Sequence, residues 1–136
     1  MKKIFKIVSY LLVGVSYCVA DVVIVANKSS GITSISRNEL VSLYSGRGKK
    51  VAGKSVKPIM LKSGPSHEAF CKKYLNRSPS SLSKIWKKLV FTGKASMLKT
   101  LNNENEIIRS ILSSNELVGY INKDNLTDEL VVVEVR

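Results

Sequence analysis

VKPIMLKSGPSHEAFCKKYL, spanning Val56–Leu75, joins a short apolar run to an amphipathic helix through a Ser-Gly-Pro-Ser turn. A strand that feeds a helix in this way leaves the helix's first N–H groups free beside the polar residues that close the strand. α/β proteins bind anions with that arrangement. Pro58 places the run at an edge or beside an incomplete part of a ladder. Pro65 suits a first helical position, because the N–H it lacks would have no partner there. Phe70, Tyr74 and Leu75 share one face of the predicted helix, and Glu68, Lys72 and Lys73 share the solvated one.

Toward the N-terminus, Asp21–Ala26 (DVVIVA) is a continuous β-branched run, the pattern of a strand covered on both faces. It enters the turn-rich loop Asn27-Lys28-Ser29-Ser30-Gly31. A complete helix start follows: Ser36 caps, Glu39 reaches back to it, and Ile35 meets Leu40 as a hydrophobic staple. Leu40, Leu43 and Tyr44 form the apolar face, and Ser45-Gly46 stops the helix. Gly48–Ser55 (GKKVAGKS) fits the phosphate-loop pattern G-x-x-x-x-G-K-[ST] by letter. That loop needs a strand before it and a helix after it, whereas here a helix precedes and an extended run follows. The segment reads instead as a solvated basic hairpin or loop.

Toward the C-terminus, Ser78 caps a helix with Pro79 in its first position, and Leu82, Ile85, Trp86, Leu89 and Val90 recur at helical spacing. Phe91-Thr92-Gly93-Lys94 ends it, and residues 94–102 carry no pattern. Asn103-Glu104-Asn105-Glu106 is a further cap with a reciprocal acid, opening a helix whose face is Ile107, Ile108, Ile111 and Leu112. Leu117–Ile121 reads as a buried strand, with Gly119 where something approaches closely. Asn122–Glu129 links it to a last strand, Leu130–Val135. Four strands alternating with four helices predict a small α/β domain with helices on the sheet faces.

Residues 1–20 are set apart as a leader. Lys2, Lys3 and Lys6 form a positive start, Ile7–Tyr17 an apolar stretch, and Cys18-Val19-Ala20 a small-residue cleavage site. The apolar stretch is shorter than the roughly 18 residues of a spanning helix. An uncleaved anchor is the alternative reading. The mature domain is then 21–136, its formal charge falls from +12 to +9 with the loss of three lysines, and Cys71 is its only cysteine. An exported chain with one cysteine has no internal disulfide. Cys71 reads as a core thiol, with a reactive or intermolecular thiol as the alternative.

A surplus of nine positive charges attracts anions of several classes: nucleic acid, anionic membrane, cell-wall polymer or a phosphate-like solute. Nucleic acid is disfavoured, because Trp86 and Phe70 sit in core patterns and no interleaved aromatic platform remains. The chain holds a single histidine, His67, with no metal-ligand spacing and no acid pair placed around a cleft. We therefore expect no enzyme, no metal and no cofactor. The anion-contacting set expected from the sequence is Ser63, Gly64, Ser66 and the early N–H groups of the following helix, with Lys62 and His67 beside them. Ordinary helix capping would select the same residue types. If the strands ending at Ala26 and Leu61 run parallel, Asn27, Lys28 and Ser29 reach the same sheet edge.

At Ile35–Gly46 (ISRNELVSLYSG) and Val56–Leu75 the chain resembles the phosphate-type periplasmic substrate-binding proteins of ABC transporters. The resemblance continues through the W-x-x-x-x-F-T-G pattern of Trp86–Gly93 and the closing Leu117-Val118-Gly119-Tyr120-Ile121 strand. It implies a single lobe of the type 2 periplasmic-binding fold, an α/β domain whose mixed sheet is flanked by helices. It also implies periplasmic or otherwise exported, non-enzymatic solute binding of phosphate or a similar small oxyanion, a membrane transporter as partner, and a monomer or weak oligomer. The family's Ser-Gly-Thr turn corresponds to Ser63-Gly64-Pro65, which lacks the threonine hydroxyl and N–H. The alternative function is a cell-envelope interaction or sensor module that uses the fold without a small ligand.

Overall fold

The computed structural model describes residues 21–136, and the leader expected over residues 1–20 lies outside the described residues. The chain opens with β1 (Val22–Asn27) and a short 3-10 turn, Lys28–Ser30, followed by β2 (Ser34–Ile35) and α1 (Arg37–Tyr44). A small hairpin of β3 (Lys50–Val51) and β4 (Lys54–Ser55) leads into β5 (Lys57–Leu61). Next comes α2 (Pro65–Phe70), which widens into a π-helical turn over Cys71–Leu75, and then α3 (Pro79–Phe91). β6 (Lys99–Leu101), α4 (Glu104–Leu112), β7 (Leu117–Asn122), β8 (Leu130–Val132) and β9 (Glu134–Val135) complete it.

Five strands form the main sheet in the order β6-β5-β7-β1-β8. β5 runs parallel to β6 and β7, while β1 runs antiparallel to β7 and β8. The result is a single-lobe α/β domain with a mixed sheet flanked by helices, as the sequence predicts. The predicted final strand is divided at Val133, which is buried and donates its N–H to Ile24. Its first half pairs with β1, and its second half turns away to pair with β2.

The helix starts follow the sequence chemistry. Ser36 and Glu39 form a reciprocal capping box on α1, Ser78 accepts from Ser81 N–H on α3, and Asn103 accepts from Glu106 N–H on α4. Each such cap satisfies a donor that the helix itself leaves unpaired. In the basic segment, Ala52 and Gly53 both take positive φ, the geometry of a tight hairpin turn, so GKKVAGKS is a hairpin.

Neighbouring residues of β7 face opposite layers, as strand geometry requires. Tyr120 packs on Phe70 of α2, ring centroids 3.8 Å apart, and lies 6.3 Å from Tyr44 of α1. Gly119 faces α4 on the other side. A Cβ there would lie 3.1 Å from both Ile59 Cγ1 and Ile107 Cγ2, so glycine lets α4 come this close to the sheet without displacing either side chain.

Candidate functional site

β5, β6 and β7 are parallel, so their carboxyl ends lie at one edge of the sheet. There, a concavity of about 380 Å³ is lined by Leu61, Ser63, Gly64, Pro65 and Ser66 after β5, Asn102–Asn105 after β6, and Asn125 after β7. Ligands of open α/β sheets bind at this edge. Two helix starts open onto it. At α2, Gly64 (φ 109°) has no side chain with which to cap, and Pro65 has no N–H, so the N–H groups of Ser66 and His67 lack a partner among the described residues. At α4, the Asn103 side chain takes Glu106 N–H and the Glu106 carboxylate takes Asn102 N–H. The N–H groups of Glu104 and Asn105 are left in the first turn. Both starts therefore present partial positive charge to the same space.

Glu104 gives the concavity its second property. Its carboxylate accepts from Ser66 Oγ (2.8 Å), from Asn122 N–H (2.5 Å) and from Asn125 Nδ2 (3.1 Å). Three donors from three segments hold one carboxylate among unpartnered N–H groups. The site thus combines donors that attract an anion with one fixed acceptor that repels a bare one. A ligand satisfies both only if it brings lone pairs and a proton.

The residues expected from the sequence separate into two places. Ser63, Gly64 and Ser66 line the concavity, although the Ser66 hydroxyl is committed to Glu104. Lys62 lies beside it, exposed, with its backbone N–H donated to Leu101. Asn27, Lys28 and Ser29 do not join them, which corrects the expectation of a shared edge. β1 is antiparallel to β7 and hence to β5, so its carboxyl end lies at the opposite end of the sheet. The Asn27 amide bridges two elements there: Nδ2 donates to Ile111 O at the end of α4 (3.1 Å), and Oδ1 accepts from Ser29 N–H.

The His67 side chain is also displaced from the expected set. It is 3% exposed and points into the core. Leu61 N–H donates to the Tyr120 hydroxyl (2.9 Å), and His67 Nδ1 lies 2.5 Å from the same oxygen. With its proton on Nε2, the neutral His67 imidazole would accept the hydroxyl proton at Nδ1. Burial lowers its pKa, against a smaller opposing effect of the Glu68 charge. One turn on, Cys71 Sγ lies 3.9 Å from both ring nitrogens, fully buried, and burial pushes its thiol up to about 11. A thiol so placed is a core group with almost no thiolate at neutral pH.

Asn102, Asn103, Glu104, Asn105 and Asn125 are the lining residues that sequence reasoning did not assign to the site. Their capping pattern was readable. The three-residue strand β6, which delivers Asn102–Asn105 to this edge, was not.

No family model matches the chain, and no curated protein matches it. Solved structures do. An ABC-type phosphate transport receptor from Vibrio cholerae aligns with a TM-score of 0.65 at 13% identity, over 85% of this chain and 46% of that one. A Clostridium perfringens protein assigned as a phosphate ABC transporter substrate-binding protein, with phosphate bound, aligns with a TM-score of 0.65 at 12% identity, over 85% and 44%. A proposed phosphate-binding protein from Planctomyces limnophilus aligns with a TM-score of 0.57 at 12% identity, over 97% and 49%. The chain spans less than half the length of each. It has the fold of one lobe of these solute-binding proteins.

Proposed function

We propose that the chain is an exported, non-enzymatic solute-binding-type protein that takes a small, proton-bearing oxyanion such as hydrogen phosphate. The ligand would sit in the concavity at the carboxyl edge of β5, β6 and β7. The observation that carries the reading is the convergence on Glu104 of two helix starts, one uncapped at Gly64 and one capped only in part by Asn103. Ser66 and His67 N–H would bind ligand oxygens from one side and Glu104 and Asn105 N–H from the other, with Ser63 and Lys62 adding a hydroxyl and a charge. The Glu104 carboxylate would accept the ligand's own proton. Sulfate has no proton at neutral pH and meets the same carboxylate unprotonated. Export rests on the leader expected over residues 1–20. Delivery to a membrane transporter is part of the same proposal, supported by the fold shared with transport receptors.

Calorimetric titration at pH 7 tests the reading. Phosphate should bind with a millimolar or tighter dissociation constant, since one lobe encloses a ligand incompletely, whereas sulfate should bind at least about tenfold more weakly. Glu104→Gln keeps an acceptor for Asn122 N–H, removes the charge and should close the gap between the two ions. Absence of heat with millimolar phosphate, or equal affinities in the unaltered protein, overturns the proposal.

A further inference from the structure

A second concavity, of about 420 Å³, lies at the opposite end of the same strands, where β5, β6 and β7 begin. Its lining includes Leu43, Ile59, Trp86, Leu98 and Leu117, and Met97 stands on its rim, 76% exposed. Lys49, Lys57, Lys94 and Lys99 also line it, and no acidic residue does. Lys57 reaches Glu116 at 3.9 Å, both side chains exposed; the other three make no ion pair among the described residues. Lys99 belongs to β6, the edge strand of the sheet, whose outer side offers unpaired backbone groups.

We propose that this groove is a docking site for an extended, acidic segment of a partner protein that carries apolar anchor residues. Each feature selects against another occupant. The apolar lining has no use for a free anion, and the four lysines disfavour a basic or neutral peptide. The concave shape admits side chains rather than a lipid surface. Two copies of a chain with nineteen basic and ten acidic side chains over residues 21–136 repel one another, which disfavours a second copy as the occupant. Strand addition along β6 would supply backbone hydrogen bonds, the lining would receive alternate side chains, and the lysines would meet the acids between them. The site is independent of the oxyanion cleft, which lies at the other end of the sheet.

Trp86 is the chain's single tryptophan and is 8% exposed in the groove lining, so its emission reports occupancy directly. The probe is a synthetic peptide alternating glutamate with phenylalanine and leucine, titrated into the full chain. We expect saturable binding with a changed Trp86 emission, weakened about tenfold or more by 0.5 M salt, by Lys94→Glu/Lys99→Glu and, separately, by Met97→Asp. All three substituted residues are exposed, so circular dichroism and phosphate binding should match the unaltered protein. Four results overturn the proposal: no binding at millimolar peptide, equal binding of an all-glutamate peptide, binding of phosphatidylglycerol vesicles in preference to the peptide, or a dimer in sedimentation that Met97→Asp abolishes.

Discussion

Replacing Tyr120 with phenylalanine would isolate one oxygen atom at the centre of the core. Tyr120 is 0% exposed, and its ring lies parallel to Phe70, so the substitution keeps the shape and the stacking. What disappears is the hydroxyl that accepts from Leu61 N–H at 2.9 Å and lies 2.5 Å from His67 Nδ1. Water cannot replace it, because His67 and Leu61 are each 3% exposed, and Cys71 Sγ, 3.9 Å from His67 Nδ1, is a weak partner. Two buried polar groups would lose their partner at about 1–3 kcal/mol each, so Tyr120→Phe should cost about 2–6 kcal/mol. Against a total of roughly 5–15 kcal/mol for a domain, that is a large fraction. Equilibrium urea unfolding measures it, as a lower midpoint at unchanged slope. With the hydroxyl as donor to Nδ1 of the neutral imidazole, the same substitution should raise the His67 pKa, read by NMR. A loss under about 1 kcal/mol, or a His67 pKa that does not move, would refute the assignment of the hydroxyl as the link between β5 and α2.

Two further outcomes follow from the core. His67 has its pKa lowered by burial from the ordinary value of 6.5, so in the window below 6.5 the unfolded chain binds more protons than the folded one. This contribution to stability is complete above 6.5, falls as pH drops toward the lowered value and levels off below it. Thermal unfolding from pH 8 to pH 5 should show the decline, and His67→Gln should remove this part of it. Gly119→Ala would place a Cβ 3.1–3.2 Å from Ile59, Ile107 and Ile111, and should destabilise by about 1–3 kcal/mol in chemical unfolding, through displacement of α4.

The sequence was most legible where local chemistry decides structure. The Ser36–Glu39 capping box, Ser78 and Pro79, and the apolar runs at Val22–Ala26 and Leu117–Ile121 all fixed elements by themselves. Strand direction was not legible, because it depends on which strands pair across a hundred residues. Asn27 and Ser63 both follow apolar strands into polar turns, and only the register of β1 against β7 shows that they end at opposite edges. His67 failed for a related reason. A histidine in the first turn of a helix resembles a ligand contact until Tyr120, fifty-three residues later, is seen to meet it.

The antiparallel β1 also explains why the chain has two distinct ends. If β1 ran parallel to β5, Lys28 would enter the carboxyl edge of β5, β6 and β7. Instead that edge keeps a surplus of N–H groups around one carboxylate, with Lys62 as its nearest predicted cation. The amino-terminal edge of β5, β6 and β7 meanwhile gathers Lys49, Lys57, Lys94 and Lys99 around apolar side chains. Selectivity at the first edge would come from hydrogen-bond complementarity, which salt affects weakly. Attraction at the second would come from charge, which salt screens within about 10 Å at 0.1 M. Raising salt should therefore leave phosphate binding nearly unchanged while it dissociates an acidic peptide. A parallel loss of both with salt would mean that a single diffuse field, and not two built sites, governs what this domain attracts.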